Sequence, residues 1–460
     1  MTDTNAGDDH ALAAARERDA ADPLRAYRDH FSVPDGERYM DGNSLGLASD
    51  TALATLERVV DEWRELAIRG WEAADPDWFH YGEHLGDLLA PLVGARESEV
   101  VVANSTTVNI HTLIGTFLDT LPGTPAGPDP SADPPAVLVN DLDFPTDHYA
   151  IRAQFRQRGL DPDEGLVAVE SRDGRTIEEA DIEAALRERD DVGIVFMPSV
   201  LYRSGQLLDI DRITAAAHEH GALAGFDCAH SIGAVDHALG TAGAVDASAD
   251  GAESGGSGDG GGADFAVWCS YKYLNAGPGA TAGLYVHERH HGTTPALAGW
   301  WGNDKSTQFE MRHTYEGADT AGAWQIGTVP VLSSAPIEGA TELVREAGIE
   351  RVREKSLALT DYLIDLVDHR LGDDFSVGTP REHARRGGHV AIEHPEGYRV
   401  SEALRDRGVI VDFRPPNVVR VCPAPLYTRY EDVWHVVEAI EEVVESGVHV
   451  EYEPRGGGVT

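Results

Sequence analysis

Four short apolar runs constrain this chain more than any other feature of it. Val137 to Val139, Ile194 to Met197, Ala222 to Phe226 and Phe265 to Cys269 are short for helices and too uniformly apolar for strands with one wet face. Each reads as a strand covered on both sides. Between them, Ile177 to Arg189 carries helical spacing, with Thr176 and Glu179 placed as a capping box. A second helix, from about Arg212 to His220, is stopped by Gly221. Strand, helix and strand repeated in this order predict an α/β fold whose mostly parallel sheet is flanked by helices.

After Pro336 the pattern changes to long amphipathic helices around Ile337 to Leu371, then weaker strands, then a closing helix. In that helix Val433, Val436, Val437, Ile440, Val443 and Val444 recur at helical spacing. The expected division is an N-terminal segment, residues 1–50, a large domain, 51–335, and a smaller C-terminal α/β domain, 336–460. The N-terminal segment is expected to pack on the small domain or on a partner subunit. Leu121 to Pro135 and Gly243 to Gly262 read as loops, the second as a mobile surface insertion.

Composition narrows the function classes. The formal charge of −42 over 460 residues is spread along the chain and would repel nucleic acid and anionic membrane. Such a surface stays hydrated where salt screens charge, which suggests a halophilic cytoplasm. Met1 to Leu24 lacks the basic start and apolar core of a signal peptide, and no apolar run is long enough to span a bilayer. Cys228, Cys269 and Cys422 are odd in number and widely spaced, as suits a reduced, cytoplasmic compartment. His218 and His220 do not share a helix face, so they read as a solvated helix end, and no metal site is expected.

In an open parallel sheet the ligand lies at the carboxyl ends of the strands. Ala222 to Phe226 ends in Asp227, then Cys228, Ala229 and His230. An acid there can keep a pyridinium nitrogen protonated, and it can equally be a helix cap. Phe265 to Cys269 leads into Ser270, Tyr271, Lys272 and Tyr273 and a glycine-rich turn. A lysine so placed can reach a buried ring and act as a Schiff-base nucleophile. A snorkelling surface lysine is the ordinary alternative, but the chain has only Lys272, Lys305 and Lys355, and only the first directly follows a buried strand. Ser105, Thr106 and Thr107 open a helix and offer donors to a phosphate, or form a plain cap. Asp143, Phe144, Pro145, Thr146 and Asp147 follow another strand, where Phe144 can stack on a flat ring and Asp147 add negative charge beside it. Arg420, within an apolar run, is a candidate for a substrate carboxylate or a member of an exposed edge strand.

From Gly42 onward the chain resembles the kynureninases, within the fold type I pyridoxal-phosphate enzymes. The likeness rests on Gly42 to Leu47, Thr107 to Asn109, Phe144 to Asp147, Asp227 to His230, Ser270 to Gly277, Gly299 to Gly302 and Arg420 to Tyr427. The resemblance implies cleavage of L-kynurenine to anthranilate and L-alanine in tryptophan catabolism and NAD biosynthesis, with pyridoxal 5'-phosphate as cofactor. It implies that Thr106, Thr107 and Tyr271 bind the phosphate, that Phe144 stacks on the ring beside Pro145 and Thr146, and that Asp227 meets the ring nitrogen near Asp147. His230 would line the site, and Lys272 would hold the cofactor and act as base. Tyr271 would donate a proton, and Arg420 would take the α-carboxylate. Trp300 and Thr328 would complete the phosphate site from the other subunit of a homodimer. Trp71 and Thr328 match the pattern that favours kynurenine over its 3-hydroxy form. An aminotransferase, a cysteine desulfurase or an inactive scaffold of this fold remain alternatives.

Overall fold

The computed structural model describes residues 4–241 and 261–454. Most of the expected insertion, residues 243–260, lies outside them. The four apolar runs are strands of one seven-stranded sheet: β1 (Val100–Val102), β2 (Ala136–Asn140), β3 (Leu166–Val169), β4 (Val192–Pro198), β5 (Leu223–Asp227), β6 (Phe265–Trp268) and β7 (Gly283–Val286). Their order is β1-β7-β6-β5-β4-β2-β3. Only β7 runs against its neighbours; the other pairs are parallel.

Alternation along each strand explains why the runs are continuously apolar. Val137, Val139, Ile194 and Phe196 join a core with Ile110, Leu113, Phe117, Ile151 and Phe155, on the helices Thr106–Thr120 and Pro145–Gln157. Leu138, Val195 and Met197 face the opposite core, built with Leu85, Ile182, Ile213 and Ile337. With helices on both faces, neither side of the strand meets water.

Two helix starts differ from expectation. The first helix begins at Glu179, and Glu178 at its N-cap makes no side-chain cap. The backbone of Ile177 is held instead by the Gln206 amide, which accepts from Ile177 N at 2.8 Å and donates to Ile177 O at 2.6 Å, while Thr176 bonds Asp173. Asp173 has thus taken the Thr176 N–H and hydroxyl that a capping box would use, and Gln206 holds the next peptide. The second helix, Ile210–Glu219, is capped by Asp209, whose side chain accepts from Arg212 N.

The small lobe has its own sheet. Its strands are β8 (Ser376–Val377), β9 (Val390–Glu393), β10 (Asp412–Arg414) and β11 (Val418–Val421), in the antiparallel order β10-β11-β9-β8. The closing helix Tyr430–Glu445 buries Val433, Val436, Val437, Ile440 and Val443 in this lobe's core. Residue 336 falls inside the helix Val331–Ala347, whose Ile337, Leu343 and Val344 join the large lobe's core.

The N-terminal segment lies on the small lobe. Ala15 enters its core, and the Asp19 carboxylate accepts from Tyr430 N and Glu431 N at 2.7 and 3.0 Å, satisfying orphan donors at the start of the closing helix. Arg38–Tyr39 pairs in parallel with Val409–Ile410. All three cysteines are free and buried. Among the described residues no helix is long and apolar enough to cross a membrane.

Candidate active site

The carboxyl ends of β2, β5 and β6 converge on one cluster. Lys272, in the turn after β6, is half-buried, and its Nζ lies 2.9 Å from His230 Nε2. His230 follows β5 in a tight turn fixed by Ala229 N donating to Asp227 Oδ1 at 2.8 Å. Asp227 therefore has one oxygen committed to its own loop, the local role of a cap, and one left over. Burial pushes His230 well below the ordinary histidine range, helped by the Lys272 charge, so its ring is neutral.

Asp147 completes the cluster from the first turn of the helix after β2. It is 1% exposed, and neither carboxylate oxygen has a partner. Burial, then the negative charges of Asp227 and Asp143, raises it well above the usual carboxylate range against the pull of Lys272. Asp227 is raised too, first by burial. Asp143 itself is taken up locally, accepting from Asn140 N at 3.1 Å and facing His148 at 3.5 Å.

The other predicted residues form the rim. Thr106 and Thr107 open their helix behind Ser105, whose side chain makes no capping bond, so the first N–H groups stay open to an anion. Thr107 Oγ1 and Thr146 Oγ1 are 2.9 Å apart, joining two helix N-termini. Pro145 occupies the first turn of the second helix. Phe144 is 47% exposed, edge-on to Tyr202 with centroids 5.4 Å apart. Tyr271 is half-buried; Cys269 beside it, then burial, raises its phenol, which keeps its proton at neutral pH.

These features fit a pyridoxal phosphate. Two buried carboxylates short of partners call for a protonated ring nitrogen, open N–H groups at a helix start call for a phosphate, and an amine stands beside them.

Arg420 lies in the middle of its sheet, not at an edge, and is 1% exposed. Its Nε donates to Asp412 Oδ1 at 2.6 Å, its Nη2 to Asp412 Oδ2 and to Ser44 Oγ at 3.0 Å, and its Nη1 to the Tyr202 carbonyl at 2.7 Å. Arg414 shares the same carboxylate at 2.8 Å.

Trp71, Trp300 and Thr328 stand elsewhere. Trp71 is half-buried, with its ring 5.5 Å from Trp301 and 5.7 Å from Trp78. Trp300 is 45% exposed and contacts Trp301 at 5.9 Å. Thr328 is exposed on the neighbouring segment, which packs so closely that a β-carbon on Gly299 would strike the Ile326 carbonyl. No hydrogen bond or ring contact among the described residues ties this aromatic ledge to Lys272 or Asp227.

Residues outside the expected site also shape it. Ser199 donates through N and Oγ to the Asp227 carbonyl and lies 2.7 Å from Ser231 Oγ, which is 2.8 Å from His237 Nε2. Ser199 stands one residue past the end of β4, a position where the sequence alone did not assign it to the site. Gly46 donates its N–H to the Tyr271 carbonyl at 2.7 Å, and a β-carbon there would lie 2.3 Å from Lys272 O. Lys305 and Lys355 are tied to Glu83 and Asp22. His218 is not a solvated helix end: its Nε2 meets buried Asp264 Oδ2 at 2.9 Å.

The sequence profile of the kynureninase C-terminal domain matches residues 352–440. The chain is 46% identical over 435 residues to the kynureninase of Geobacillus thermodenitrificans strain NG80-2, covering 94% of each chain. It is 45% identical over 440 residues to that of Bacillus mycoides strain KBAB4, covering 95% of this chain and 96% of the other. Among solved structures, a cysteine desulfurase from Thermococcus onnurineus NA1 superposes with TM-score 0.73 at 17% identity, over 92% of this chain and 98% of that one. The cystine C-S lyase C-DES gives 0.72 at 16%, over 89% and 98%. At such identities the likeness is one of fold.

Proposed function

The chain belongs to the kynureninase family, and from that premise we propose which of its residues carry the pyridoxal-phosphate-dependent hydrolysis of L-kynurenine to anthranilate and L-alanine in tryptophan catabolism. The observation that carries the assignment is Lys272 Nζ, 2.9 Å from His230 and within the field of two buried, raised carboxylates. Lys272 would hold the cofactor's aldehyde carbon, and Thr106, Thr107 and Tyr271 its phosphate. Phe144 would cover the ring on the turn shaped by Pro145 and Thr146, and Asp227 would face the ring nitrogen with Asp147 behind it. Bound there, the cofactor supplies an electron sink for charge left at the substrate's α-carbon.

The protein's own groups do the rest. Lys272 Nζ is the base for the substrate α-proton, and His230 Nε2 is the neighbouring acceptor that orients it. Asp227 keeps the ring-nitrogen proton in place from a main chain clamped by Ser199. Water adds to the γ-carbonyl, the Cβ–Cγ bond breaks to release the aryl acid, and protonated Tyr271 would give the β-carbon its proton and recover one from the water. Asp412 fixes Arg420 by two hydrogen bonds, and Nη1, which donates to the Tyr202 carbonyl, would have to give up or share that bond to take the α-carboxylate. Adding kynurenine to purified protein should release anthranilate and alanine without an amino acceptor. Borohydride should fix the cofactor to Lys272; an adduct mapped to Lys305 or Lys355 overturns the assignment.

We further propose a homodimer in which Trp300 and Thr328 complete the partner's phosphate site, supported by their exposure on a ledge shared with Phe309 and Met311. Mixing a Lys272→Ala protein with a Thr328→Val, Trp300→Ala protein should restore part of the activity each lacks. We place the enzyme in a high-salt cytoplasm, on the −42 charge and the free cysteines. We also propose that the large lobe runs through the Val331–Ala347 helix, with the boundary near Gly348.

A further inference from the structure

His389, on the small lobe one residue before β9, is fully buried at 0% exposure, and neither of its ring nitrogens meets a hydrogen-bond partner within ordinary geometry. A core position that wanted only bulk would be better filled by leucine or methionine, because an unsatisfied buried polar group is costly. Gly205 makes room for the ring, while Gly388 makes room for Tyr273. A β-carbon on Gly205, which has φ +74°, would lie 2.6 Å from His389 O and 3.3 Å from its Nε2, and one on Gly388 would press on the Tyr273 ring at 2.9–3.0 Å. A backbone hydrogen bond with Arg203, outside strict geometry, favours the charged imidazole but is outweighed by burial.

The His230 ring is the other neighbour, its centroid 5.9 Å away and its plane tilted by 58°. His230 Nδ1 is likewise buried without a partner. No direct hydrogen bond joins the two rings, and a centroid separation of 5.9 Å is compatible with one water between facing nitrogens. The tautomers agree with such a link. A lysine ammonium has only donors, so when Lys272 Nζ donates to His230 Nε2 at 2.9 Å, that nitrogen must be bare and the ring proton must sit on Nδ1. A proton there needs an acceptor. His389, held neutral because burial lowers it to about 3, has a lone pair to offer.

We propose that His389 is a positioning residue: through one water it holds the His230 proton on Nδ1 and so keeps His230 Nε2 turned as an acceptor toward Lys272. This rests on Lys272 being the cofactor lysine, and the small lobe thereby reaches the lysine without touching substrate. If His389 is lost, the His230 proton is free to move to Nε2, where it opposes an ammonium on Lys272 and favours the bare amine.

The variants are His389→Phe, which removes both nitrogens at similar size, and His389→Gln, which restores an amide able to take the water. The first readout uses cofactor-free protein. With three lysines in the chain, reductive methylation followed by peptide mass spectrometry reports Lys272 against Lys305 and Lys355 as internal references. In His389→Phe, Lys272 should label several-fold faster at neutral pH while the other two keep their rates. The second readout is the holoenzyme, where kcat should fall about tenfold with KM within about threefold, the scale of one unmade buried hydrogen bond. His389→Gln should recover both to within about threefold. If Phe does not fold, His389→Met carries the same readings. Unchanged Lys272 labelling in a folded Phe or Met variant, or equal losses in the Phe and Gln variants, would overturn the proposal. A borohydride adduct away from Lys272 would instead overturn the assignment beneath it.

Discussion

Buried carboxylates at the two ends of the same sheet are treated in opposite ways. At the amino end of β6, Asp264 accepts from Ala224 N at 2.7 Å, His218 Nε2 at 2.9 Å, Arg289 Nε at 2.9 Å and His290 Nε2 at 2.6 Å. Burial alone would raise it, but those hydrogen bonds and the Arg289 charge outweigh burial and hold it far below the usual carboxylate range. At the carboxyl ends, Asp147 has no partner and Asp227 has one, and burial raises both. A satisfied buried charge is a structural fastening. An unsatisfied one is held in reserve for a group that arrives later, and the protein alone is less stable for it.

The sharpest way to break this contrast is to remove each side in turn. Lys272→Ala and Asp227→Asn should cost on the order of 10³-fold in kcat/KM with little change in the unfolding midpoint of cofactor-free protein. Near-normal turnover in the asparagine variant would end the pyridinium role. Asp264→Asn should do the reverse. Denaturant unfolding should show a loss of about 3–5 kcal/mol, because His218, Arg289 and His290 are left around a neutral amide, while kcat stays within about twofold. If kcat fell with stability intact, the division into fastening and reserve would fail.

Two smaller effects sharpen it. Trp71→His with Thr328→Asn should raise preference for 3-hydroxykynurenine several-fold, since new polar groups can meet an aryl hydroxyl otherwise buried unpaired. An unchanged ratio of kcat/KM for the two substrates would return Trp71 to a packing role among its tryptophans. The smallest change concerns pH. Asp147 has a raised native pKa, so its effect on stability is least unfavourable at low pH and worsens as pH rises through that value. Asp147→Asn should therefore raise the thermal midpoint of cofactor-free protein by about 1–3 °C at pH 8, with the gain shrinking toward pH 5. Asp264 has the opposite sign: its contribution is present above about pH 4 and is lost on further acidification. An Asp147→Asn gain that grew on acidification would contradict the raised carboxylate.

Four of the seven large-lobe strands were legible in the sequence because they are buried on both faces, so Val137–Leu138–Val139 is apolar without interruption, whereas Leu166–Val169 is half-open. The sequence also located Asp227 and Lys272, since a strand end is a position that chain order defines. What it hid depends on partners distant in the chain. Thr176 reads as a cap until Gln206, thirty residues on, takes the Ile177 backbone. His218 reads as a solvated helix end until Asp264 is folded beneath it, and His389 reads as nothing until the small lobe brings it to His230. The boundary expected after residue 335 followed a proline. In the fold, Pro336 lies six residues into the helix Val331–Ala347, which continues through it, and proline is most easily accommodated near a helix start.

The loop containing Gly46 has a mechanical consequence. Upstream, Arg38–Tyr39 is laddered to Val409–Ile410 of the small lobe. Downstream, Gly46 is hydrogen-bonded to the Tyr271 carbonyl, so the segment between is a short tether joining the two lobes at the lysine turn. If the small lobe swings, the tether must slacken, stretch or pull on Lys272. The amine and the lobe that presents Arg420 are therefore geared together by the six residues from Met40 to Leu45, and lengthening that span should uncouple them.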